Sequence, residues 1–194
     1  MRATERRSFG ITDGMVLIAA TAVGLAMTRL IVPDVTPQEI WETLTTPPRD
    51  GWSFFDALEM FAEKGAILIV PSLAAWTLAT LIMRLRAPRS PWRRLTRQPG
   101  MMASLLATAV TGLVSIGSAL LWPKPNPFHS LDWSPVIVMF GSLLVGSFVL
   151  SSWVTMAVCG RWRPEPTWLD RLGRFLGVLW IAIASVYGFG IMAN

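Results

Sequence analysis

Apolar residues along this chain neither alternate nor fall into stripes; they gather into five long runs separated by charged or proline-bearing segments. The runs cover about 14–31, 65–83, 101–122, 135–159 and 172–192. A helix rising 1.5 Å per residue needs roughly 17–25 residues to cross about 30 Å of hydrocarbon, and each run falls within that length. The third and fourth carry no charge; Arg29 lies near the end of the first, and Arg174 in the first turn of the fifth. Runs that are apolar on every side do not suit the surface of a soluble bundle. Strands of a membrane barrel would alternate, and these do not. The predicted fold is all-α: one integral membrane domain, 1–194, of about five transmembrane helices.

The segments between the runs differ in character. Residues 32–64 are acidic, with Asp34, Glu39, Glu42, Asp50, Asp56, Glu59 and Glu63 against Arg49 and Lys64. Thr36 followed by Pro37 and Glu39 reads as a capped helix start. Phe54, Phe55, Leu58, Met60 and Phe61 interleave with acids at helical spacing, which predicts a short amphipathic helix at the outer interface, leading into the second span. The third connection, PKPNPFHSLDWSP, contains four prolines and is expected to be stiff and non-helical. Pro71 is expected to kink the second span by freeing a carbonyl near Ile67.

Composition agrees with a membrane chain. Of 194 residues, 53% are hydrophobic and 15% charged, against roughly 25% charged in average soluble proteins; the mean hydropathy is +0.49. A net charge of +5 would ordinarily raise nucleic acid as a partner. Placement gives a better account. Arg2, Arg6 and Arg7 precede the first run; Arg84, Arg86, Arg89, Arg93, Arg94 and Arg97 join the second to the third; Arg161, Arg163, Arg171 and Arg174 join the fourth to the fifth. The intervening segments hold only Arg49, Lys64 and Lys124. Positive charge beside helix ends stays cytoplasmic. The expected topology therefore has the N-terminus in the cytoplasm and the C-terminus in the periplasm of a bacterial inner membrane. The six arginines 84–97 are read as an orientation signal that also meets anionic lipid, not as a nucleic-acid arm. The first run, behind its three arginines, also fits a signal peptide. It is longer than a usual signal core, so a retained helix is expected.

Candidate chemistry is sparse. A single cysteine, Cys159, excludes an internal disulfide, and a single histidine, His129, excludes a multi-histidine metal set. No ionisable residue lies near the middle of a run, which argues against ion-coupled transport. Glu39 with Glu42, and Glu59 with Glu63, are carboxylate pairs at one-turn spacing, more simply read as a solvated helix face. No metal or catalytic residue is assigned, and the sequence implies no cofactor.

Small residues do stand out. Ala103, Ala107, Thr111 and Ser115 recur every four positions on the third run; Gly146 follows Ser142 on the fourth; Gly173 and Gly177 form a GxxxG on the fifth. Such rows let helix backbones approach closely, within one bundle or between subunits. The functional expectation is a non-catalytic, structural or accessory subunit of a larger membrane complex, with membrane lipids and other subunits as partners. Two alternatives stand beside it. One is a small transporter or lipid-handling protein without ion coupling. The other is a membrane enzyme using Glu39, Glu42 or Asp56.

Overall fold

A computed structural model describes residues 9–31, 38, 42, 65–86, 96–121 and 134–193. The described residues form five long helices, α1 (Ile11–Ile31), α2 (Ala66–Leu85), α3 (Pro99–Leu121), α4 (Ser134–Val158) and α5 (Trp168–Ala193), and contain no strand. All five are long and apolar enough to cross a membrane. The predicted amphipathic helix of the 32–64 segment lies outside the described residues; Gln38 and Glu42, the two described there, are both helical.

The helix ends follow local chemistry more closely than hydropathy alone does. At the start of α1 the Gly10 amide donates to Asp13 Oδ2 (3.2 Å) while the Asp13 amide donates to the Gly10 carbonyl (3.0 Å). This reciprocal pair sets the helix start before the apolar run begins. α2 runs unbroken through Pro71 and past Met83, so it takes in Arg84 before Arg86 turns extended. α3 starts on Pro99, whose missing N–H costs nothing at a first helical position. α4 closes with Gly160 at φ 64, the Gly160 amide donating to Ala157 O (3.1 Å) and the Arg161 amide to Met156 O (2.8 Å). That is a Schellman closure, and it needs the left-handed backbone glycine supplies. α5 begins at Trp168, earlier than the apolar boundary at Leu172, because Thr167 caps it: the Asp170 amide donates to Thr167 Oγ1 (3.4 Å).

Neighbouring contacts fix the arrangement. α1 lies antiparallel on α2 and has little contact with the other helices. A Cβ built on Gly24 would fall 2.5 Å from Ser72 Cα, Trp76 Nε1 donates to Thr21 Oγ1 (2.9 Å), and Thr28 Oγ1 donates to Leu68 O (3.2 Å). α5 is the central element, packed on α2, α3 and α4. Trp180, 1% exposed and halfway along α5, sits among Val70, Leu73, Ala107, Val145 and Val149.

The bundle is inverted relative to a water-soluble one. Leu113, Ile116, Leu120 and Val158 lie largely exposed, whereas Thr77, Thr80, Ser104, Ser142 and Asp170 are buried. Thr80, Ser104 and Ser142 hydroxyls donate to carbonyls four residues earlier, so these polar groups are satisfied without water. The alternation of the helices places seven of the eight described arginines at one end of the bundle, and only Arg29 at the other.

Candidate functional site

At the basic end, three helices that start or finish there share one buried cluster. Asp170 is fully buried at the third position of α5, where a carboxylate favours the helix dipole. Its Oδ2 accepts the Glu165 amide of the preceding turn (3.2 Å). Its Oδ1 accepts the Gly100 amide (3.1 Å), at the second position of α3. One carboxylate thus ties down two helix starts. Such ends otherwise leave amides without partners.

Arg84 reaches the same point from the last turn of α2. Its Nη2 donates to the Leu169 carbonyl (2.6 Å) and lies 3.4 Å from Asp170 Oδ1, and its Nη1 donates to Gln98 Oε1 (2.9 Å). Gln98, which precedes Pro99, gives its side-chain oxygen to Arg84, and Asp170 takes the Gly100 amide at the start of α3. Arg174 Nε lies 3.2 Å from Asp170 Oδ2 one turn further along α5, an ion pair whose N–H is not aligned as a hydrogen bond. The side chains of Arg84 and Asp170 are 4% and 0% exposed, while Arg174 is 34% exposed.

Glycine makes this convergence possible. A Cβ on Gly173 would fall 2.5 Å from Gly100 O, and one on Gly100 would fall 2.7 Å from Asp170 Oδ1 and 2.9 Å from Arg84 Nη2. α3 and α5 therefore cross backbone to backbone at these two residues. Two further bonds tie α4 and the loop after it to the same place: Trp153 Nε1 to Pro99 O (3.0 Å), and the Arg163 amide to Arg97 O (3.2 Å).

A carboxylate offers about four acceptor positions. Asp170 gives three of them to the Gly100 amide, the Glu165 amide and Arg84, and pairs with Arg174 by charge alone. It therefore acts as a brace between the helices that meet here. Among the described residues, no three His, Cys, Asp or Glu side chains converge as a metal-binding group.

The small-residue positions fall on both kinds of surface. Ala103 and Ala107 are buried in the core beside α5. Gly173 meets Gly100, Gly177 meets Trp153 and Ala103, and Gly146 meets Ala184 and the Trp180 carbonyl. Thr111 is half-buried, with a covered hydroxyl that has no hydrogen-bond partner, and Ser115 is exposed. Of the arginine group, Arg84 stands apart: it is 7% exposed and held within the chain, whereas Arg86 and Arg97 are exposed. Arg89, Arg93 and Arg94 lie outside the described residues, as do Glu39, Asp56 and His129. Glu42 and Cys159 are exposed.

Asp170 and its link to Arg84 escape a reading by hydropathy, since both fall just beyond the apolar boundaries. A local signal exists: Thr167-Trp168-Leu169-Asp170 is a capping pattern. Searches against protein-family models, curated proteins and solved structures match nothing to this chain.

Proposed function

We propose that this chain is a non-catalytic structural or accessory subunit of a larger assembly in the bacterial inner membrane, with its N-terminus cytoplasmic and its C-terminus periplasmic. The bracing by Asp170 carries the reading: this carboxylate, 0% exposed, holds α2, α3 and α5 together. Outward surface remains for neighbours. A Cβ on Gly112 or Gly117 would meet nothing within 4 Å, and exposed Ser115 lies between them on α3. On α4, Ser147, Ser151 and Thr155 form an exposed row, in which the Ser151 and Thr155 hydroxyls donate to carbonyls one turn back. Small residues of this kind admit close approach by another membrane helix.

Purification in mild detergent is expected to bring down other membrane proteins in fixed ratio; a fully stable lone monomer would sink the proposal. A second reading, a small transporter or lipid-handling protein without ion coupling, draws on Trp180 Nε1 and the Thr108 and Thr111 hydroxyls, all buried without hydrogen-bond partners. If these groups line a path for a neutral polar solute, Trp180→Phe should change flux per folded protein in proteoliposomes, with thermal unfolding measured beside it. Flux equal to wild type would remove this reading.

A further inference from the structure

The Asp170 cluster contains buried donors that its own acceptors do not reach. Arg84 Nε and Gln98 Nε2 are both buried and both lack a hydrogen-bond partner. Their residues are 7% and 3% exposed, on side chains joined through the Arg84 Nη1 to Gln98 Oε1 bond. That bond also fixes the orientation of the Gln98 amide, because the oxygen must face the guanidinium and the NH2 must face away. Trp168 Nε1, on the same turn of α5 as Asp170, is a third buried donor without a partner.

An N–H buried without an acceptor is destabilising, more so when it is charged. Three at one end of a bundle mark a place where acceptors are missing. An oxyanion only accepts. Around the cluster, Arg97, Arg161, Arg163 and Arg171 are exposed at the same end, and the Arg163 amide to Arg97 carbonyl bond draws their two segments together.

We propose that the junction of α2, α3 and α5 binds a phosphate-type oxyanion, with Gln98 Nε2 and Arg84 Nε as its buried donors and the surrounding arginines as its outer shell. The ligand is an acidic phospholipid headgroup or a soluble phosphate. The site stands independently of the subunit reading, since it concerns this chain alone.

The test uses the full chain in a neutral detergent, titrated with phosphatidylglycerol, with phosphatidylcholine and with inorganic phosphate. Thermal unfolding and native mass spectrometry supply the readouts. Gln98→Glu is the informative variant: it keeps an acceptor for Arg84 Nη1, removes the free donor and sets a negative charge against the ligand. Wild type should show a saturable rise in unfolding midpoint and retain the bound species. Gln98→Glu should unfold no earlier than wild type without ligand, and should need at least about tenfold more ligand. Response to phosphatidylglycerol without competition by inorganic phosphate identifies a lipid headgroup; competition by phosphate identifies a soluble anion. Equal titration of wild type and Gln98→Glu, equal response to phosphatidylcholine and phosphatidylglycerol, or no response to either anion overturns the proposal. Should Gln98→Glu fail to fold, Gln98→Met removes the same donor at similar volume, and the same tenfold loss is required of it.

Discussion

Asp170 receives two backbone amides and two guanidiniums, so removing its charge alone leaves Arg84 buried without a counter-ion. Breaking a buried pair from one side costs about 3–5 kcal/mol, much of it the penalty of the stranded charge. Asp170→Asn is therefore expected to lower stability by about that amount, measured by thermal unfolding in detergent. Adding Arg84→Met should recover part of the loss, with a coupling of about 1–3 kcal/mol between the two sites. Full additivity would mean that the two residues do not act together. Asp170 was legible only locally. The capping pattern after Pro166 gives a reason for an acid at that position, but nothing in the sequence says that its second oxygen crosses to Gly100. Arg84 was harder still: beside Arg86 and Arg97, the other described arginines of its segment, only the length of α2 distinguishes it as the one that turns inward.

The helices themselves were legible because each rests on a long apolar run with charge only near its ends, and the five spans agree with five runs. Their ends were not, because capping bonds rather than hydropathy decide where α1, α2 and α5 start or stop. Small residues divide by what they face. Gly146 abuts the Trp180 carbonyl and Ala184, so Gly146→Leu should force α4 from α5 and cost about 1–3 kcal/mol or more through overpacking. Gly112 and Gly117 face open space, so Gly112→Leu should leave the unfolding midpoint of the isolated chain nearly unchanged. If α3 serves as a partner surface, the same variant should lose the co-purifying proteins. Unchanged recovery of partners would place the interface elsewhere. The row on α3 could not be sorted from sequence, because Ala103 and Ser115 share a spacing but not a surrounding: the first is buried beside α5 and the second is exposed.

Across the whole molecule, seven arginines gather at one end of the described bundle. If the proposed orientation is right, a reporter fused to the C-terminus should be active only in the periplasm, and a cytoplasmic signal would reverse the topology. α1 is the least integrated helix, resting chiefly on α2 through Gly24, Thr21 and Thr28. Thr21→Val with Trp76→Phe should therefore loosen α1, seen as faster proteolysis there, while the interface of α3, α4 and α5 keeps its protection. Simultaneous loss of protection throughout would show that α1 is integral to the core.

The ion pair at the basic end also has an order in time. Arg84 and Asp170 are 86 residues apart. At roughly 5–20 residues per second, Arg84 leaves the ribosome about 4–17 s before its partner exists. For that interval it is an ordinary solvated arginine beside Arg86 and its neighbours, able to hold the end of α2 at the membrane surface. When α5 arrives, Asp170 draws the same side chain inward and closes α2, α3 and α5 together. One residue thus acts first as an anchor for an incomplete chain and afterwards as the latch of the finished one.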